Sequence, residues 1–217
     1  MRKLDEIALN IELVLISIIE GVALSALGYN AIPVFAQPAN WQYIPFVFAG
    51  LAILLVFWSQ AILHAVSFIR WPLSMGHMLT YFLASFLQVI AYYNITTSTS
   101  WFLWWTIFSF LAFAIYIIDL RILKSVVPNY DSIPGGPSYI QEVLRRHVYE
   151  MKFLIPLSVA FNVVVLGLAF YGGPYFSGPM FCIVAGTVQL LVSLGALMDC
   201  VKNFKSRSAM LPALFGE

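Results

Sequence analysis

Charge is scarce in this chain: 10% of its 217 residues are Asp, Glu, Lys or Arg, against about 25% in ordinary soluble domains. Hydrophobic residues make up 61%, more apolar surface than a water-soluble fold of this size can hide. The few charges nearly cancel, leaving a net +1, so the basic footprint of a nucleic-acid-binding protein is missing. Cysteine is rare too. Cys182 and Cys200 stand near opposite ends of one apolar run, too far apart to bridge within a helix. Catalytic signatures are also absent: no nucleophile elbow, zinc-protease helix, Walker loop or dinucleotide fingerprint. Neither an enzyme nor a cofactor protein is expected.

What the chain does have is long apolar runs. Six of them, about 7–28, 44–69, 76–95, 101–123, 152–171 and 179–201, approach the roughly twenty residues a helix needs to cross a bilayer. The expected fold is all-α, a single polytopic domain over residues 1–217 with six transmembrane helices. All eleven Lys and Arg fall on one side of that topology. Arg2 and Lys3 precede the first span, Arg70 lies between the second and third, and Arg121 to Lys152 border or fill the connection between the fourth and fifth. Lys202, Lys205 and Arg207 follow the sixth, while the three opposite connections carry no charge. The positive-inside rule then places both termini in the cytoplasm, with the plasma (inner) membrane as the expected location. The interrupted apolar run at the start, with Glu12 and Glu20, does not read as a cleavable signal peptide.

Glu20 is the unusual residue. It sits well inside the first span, where a charge costs a few kcal/mol or more and default expectation is function. Ser17, Gly21, Ser25 and Gly28 run beside it as a small-residue stripe, the pattern that lets another helix approach closely. With about 1.5 Å of rise per residue, Glu20, Gln88, Asn162 and Gln189 all fall roughly 15–20 Å from the charged end of their helices, and Gln60 lies nearer that end. The expectation is a polar layer in which these carboxamides surround the acid, since amides both donate and accept. Two readings compete. Glu20 is a hydrogen-bond pin between helices, each such bond worth about 0.6 kcal/mol on average, or it is an ion or proton site on a conduction path. No basic residue lies at its depth, which leaves a proton, a cation or water as its counter-species.

The remaining features are weaker. Residues 29–43, with Pro33, Pro38, Trp41 and Tyr43, read as an interfacial loop. Trp101, Trp104, Trp105, Phe108, Phe110 and Phe113 suit a lipid-facing fourth helix, whose other face of Thr106, Ser109, Ala112, Tyr116 and Asp119 turns inward. Residues 138–151 form a short amphipathic cytoplasmic helix in which Glu142, Arg146 and Glu150 make i, i+4 pairs and His147 is solvated. It reads as a surface connector lying on the membrane. Pro156 is a candidate kink in the fifth helix. Cys182, Gly186, Gln189, Ser193, Ala196 and Cys200 form a small-residue seam on the sixth, for packing within the subunit or across an oligomer axis. His64 and His77 lie near adjacent helix ends, but two histidines are too few for a structural zinc and need facing rings to hold a haem. No metal is expected.

The leading functional expectation is a channel or transporter for a small cation, proton or small solute, with Glu20, Gln60, Gln88, Asn162 and Gln189 as its ion- or solute-binding residues. The competing class is a non-conducting subunit, an anchor, assembly factor or sensor in a larger complex. Expected partners are the lipid bilayer and either further copies of the chain or other membrane subunits, and no nucleic acid.

Overall fold

The computed structural model describes the backbone of residues 2–67, 75–130, 136–176 and 178–215; side chains 1–10, 12, 64–78, 126, 129–135, 174, 177 and 207–217 lie outside the described set. All regular structure among the described residues is helical: α1 (Arg2–Ala36), α2 (Ile44–Ser67), α3 (Met75–Tyr93), α4 (Ser98–Val126), α5 (Gly136–Tyr149), α6 (Ile155–Tyr171) and α7 (Pro179–Phe215). Five stretches are long and apolar enough to cross a bilayer, namely Leu13–Ala36, Pro38–Leu63, Ser98–Ser125, Gly136–Tyr171 and Pro179–Ser206. Leu79–Tyr93 is a shorter apolar sixth. In lipid every backbone N–H and C=O must be satisfied within its own segment, and an uninterrupted helix does this.

The outer faces carry Ile18, Val22, Phe82, Phe86, Leu191 and Met198, all exposed. That surface suits a multi-pass membrane protein and would be a liability in water. Backbone packing runs α7–α2–α1–α3–α4–α6 from neighbour to neighbour.

One half of the bundle interior is an aromatic core. Phe46 stacks on Trp101 at 5.3 Å, and Trp101, Trp105 and Phe108 continue edge to face along α4. Trp101, Phe102 and Tyr92 are fully buried. The expected lipid-facing role of the α4 rings is therefore overturned for Trp101, Trp105 and Phe108, which fill the centre; Phe110 alone of the six is exposed. Bulky rings meet small residues there. A Cβ on Gly186 would lie 2.5 Å from the Phe46 ring, and one on Gly50 would lie 2.9 Å from Tyr92. The α7 seam thus packs within the subunit, with Cys182, Gln189, Ser193 and Cys200 all buried.

Other expectations are corrected as well. Residues 29–36 continue α1 instead of opening a loop. Asn30 bonds the Ala26 carbonyl, and the carbonyl of Pro33 accepts from Gln37 N and Asn40 Nδ2. The Ser17–Gly28 stripe points away from the bundle, and Cβ atoms on Gly21 or Gly28 would meet nothing within 4 Å. Its serines turn back onto the Leu13 and Gly21 carbonyls. The helix expected at 138–151 begins at Gly136 and runs into α6 through a π-turn at Glu150–Leu154. It is not a free surface connector, because Tyr139, Ile140, Val143 and His147 are buried against the bundle.

Candidate functional site

Glu20 is 4% exposed and turns inward from α1. Two hydroxyls from α3 converge on one of its oxygens: Tyr81 Oη and Ser85 Oγ each donate to Oε1 at 3.0 Å. Oε2 is buried with no hydrogen-bond partner among the described residues. The α3 face that meets it reads Tyr81, Ser85, Gln88, Tyr92, spaced so that all four stand on one side of a helix. The Tyr81 ring is held in place by stacking on Phe57 at 4.8 Å.

That ring is also part of a cavity wall. A cavity of about 590 Å³ lies between α1, α2, α3, α4, α6 and α7 in the half of the bundle that carries the charged helix ends. Phe57, Tyr81 and Phe108 line it where the aromatic core begins. Most of the wall is aliphatic, supplied by residues such as Ile16, Ile53, Ile115 and Val192. Glu20 is not in the wall; its carboxyl lies one tyrosine away.

At the charged end the wall contains Tyr116, Tyr149, Glu150 and Asp199. Glu150 is 3% exposed and heavily bonded: Oε2 accepts from Tyr116 Oη at 3.0 Å, and Oε1 from Arg146 Nε at 3.0 Å and Asn203 Nδ2 at 3.3 Å. Arg146 also pairs with Asp199 and lies over the Tyr149 ring, 5.1 Å from its centroid. A local backbone irregularity makes this possible. Pro156 has no N–H to offer the Lys152 carbonyl, and Ile155 N bonds instead to Glu150 O, five residues back. Such π-turns re-aim side chains and recur at functional sites.

His147, expected in solvent, is 2% exposed, stacks on Tyr116 at 4.7 Å and has Nε2 at 2.9 Å from the Tyr116 carbonyl. Of the expected i, i+4 pairs Arg146–Glu150 forms, with Arg146 turned toward the interior, while Glu142 makes an exposed i, i+3 pair with Arg145. Asp119 is inward and fully buried, as its face of α4 suggested.

The five residues expected to form one polar layer fall into separate groups. Glu20 takes hydroxyl partners. Gln88 is fully buried, and the single Tyr92 hydroxyl proton is shared between Gly50 O at 3.1 Å and Gln88 Oε1 at 3.3 Å. Asn162 and Gln189 do meet, at 3.4 Å, and are tied to Ser109 and Trp101. This group pins α4, α6 and α7 together. Gln60 lines the cavity and donates to Cys200 Sγ at 3.2 Å. His64, His77 and Glu12 have side chains outside the described residues. No cluster of three or more His, Cys, Asp or Glu with metal-binding geometry occurs among the described residues.

Tyr81, Ser85, Glu150 and Asp199 were not singled out as site residues from the sequence. Tyr81 and Ser85 had a usable signal, an i, i+4, i+7, i+11 row of polar side chains through Gln88 and Tyr92 in an apolar span. Asp199 had none, since a lone acid near a helix end reads as solvated.

No protein-family model, curated protein or solved structure matches this chain. Its function is to be sought in the side-chain geometry.

Proposed function

We propose that this protein carries a small cation, proton or small solute across a membrane, with Glu20 as the acid that exchanges a proton or cation and the adjacent cavity as the cargo space. One observation carries this reading. The two hydroxyl donors converge on Glu20 Oε1, and one of them belongs to Tyr81, whose ring is cavity wall. With Oε1 occupied by donors, Oε2 is the atom left for a proton or cation. Rotation of the Tyr81 side chain would join the carboxyl to the cavity. In this reading the charged end of the bundle faces the cytoplasm, in keeping with the positive-inside rule, and the aromatic core separates the cavity from the other side.

Purified protein in lipid vesicles tests the proposal. Glu20→Gln keeps the shape and the acceptor oxygen but removes the exchangeable proton, so flux of protons or monovalent cations, or its pH dependence, is expected to change at least tenfold. Unchanged flux with an intact fold would falsify the role of Glu20.

The second reading, a non-conducting subunit of a larger membrane complex, is favoured by the outward stripe of Ser17, Gly21, Ser25 and Gly28. A stoichiometric copurifying partner together with absent flux would select it.

A further inference from the structure

The cavity wall has a one-sided charge pattern that the carrier reading leaves unused. Glu150 and Asp199 stand at its charged end, and no Lys, Arg or His is among its described lining residues. The nearest cation given by the contacts is Arg146, which stands outside the wall and answers both carboxylates at once. One guanidinium against two carboxylates leaves this triad at a net −1, and Glu20 adds a further acid behind Tyr81. Acids beside a low-dielectric, apolar space focus a negative potential into it.

We infer that the cavity is a binding site for an amphipathic organic cation, an amine or onium whose charged head lies at Glu150 and Asp199 and whose apolar body fills the aliphatic space. Its volume of about 590 Å³ falls in the roughly 300–1,000 Å³ of small-molecule sites. The Tyr116 and Tyr149 rings beside the acids suit an organic cation, which gains from aromatic faces. A bare metal ion is disfavoured there, since hard cations want about six oxygen ligands and this wall is mainly hydrocarbon. An anion would meet two carboxylates and, among the described lining residues, no base. This site names a cargo class for the proposed carrier and so rests on that reading for its transport role, but binding is measured without any flux.

The experiment uses the full chain in phosphatidylcholine nanodiscs, with empty discs subtracted. Two probes share one shape and differ in sign, tetraphenylphosphonium and tetraphenylborate. Calorimetry or equilibrium dialysis is expected to give saturable, one-to-one binding of the cation and none of the anion. Asp199→Asn, at a partly exposed position, is expected to weaken the cation at least tenfold. Gly195 is in the cavity wall and a Cβ there would meet nothing within 4 Å, so Gly195→Leu adds bulk at an open point of the wall and is expected to abolish binding. Equal uptake of the two ions, no uptake beyond empty discs, or saturable binding that neither variant weakens overturns the inference. Cation binding with Glu20→Gln flux unchanged would keep this site and sink the carrier; altered flux without cation binding would do the reverse.

Discussion

At the scale of single residues, close approach and open space separate glycines that look alike in the sequence. Gly186 faces the Phe46 ring at a distance no Cβ tolerates, while a Cβ on Gly167 meets nothing within 4 Å. Overpacking a tight core costs about 1–3 kcal/mol, and replacing an open helical glycine by alanine gains up to about 1 kcal/mol. Gly186→Ala is thus expected to lower the thermal unfolding midpoint in detergent, and Gly167→Ala to hold or raise it. Equal midpoints for the two variants would contradict the described α2–α7 contact. That Gly186 meets a close neighbour was legible from its seam of small residues, but that the neighbour is Phe46 of the same chain was not. The partners of Glu20 were not, because a tyrosine or serine in an apolar helix carries no mark of which neighbour it will bond.

The π-turn is the element with the most consequence. Without the Ile155 N to Glu150 O bond, the chain would pass from α5 to α6 in regular α-helical register. With it, Glu150 collects Tyr116, Arg146 and Asn203 in a buried setting. Removing one partner of a buried charge pair typically costs about 3–5 kcal/mol. Glu150→Ala is therefore expected to destabilise the protein strongly, whereas Glu142→Ala, which breaks the exposed pair with Arg145, is expected to move the midpoint far less. Thermal scans of the two variants side by side decide this; similar losses would mean that the Glu150 network is solvated. Pro156 was visible in the sequence as a perturbation. That the perturbation would take the form of a wide turn was not, since proline is equally compatible with a plain kink.

For the whole molecule, apolar side chains clothe the outside and polar groups cluster within, an arrangement that suits hydrocarbon as the solvent. Every Lys and Arg among the described residues lies toward one end of the bundle. Reporter fusions check the orientation this implies. A fluorescent protein at the C-terminus is expected to be bright in a bacterial host, and alkaline phosphatase is expected to be active only when fused in the uncharged connections, such as after Gly178. An active phosphatase at the C-terminus would reverse the assigned orientation and, with it, the side to which the cavity's acid end faces.

Composition and the spacing of apolar runs were enough to determine an all-helical chain with its membrane-spanning candidates and its charges gathered at one end. Those properties accumulate residue by residue along the chain, and no contact between helices alters them. Which polar groups meet was decided only by the tertiary structure. A meeting depends on the rotation and depth of two helices together, and a π-turn or a few degrees of helix rotation is enough to change it. Glu20 therefore gained hydroxyl neighbours in place of the expected amides, Asn162 and Gln189 became a structural tie, and Glu150 moved from an exposed helix face to the wall of a cavity.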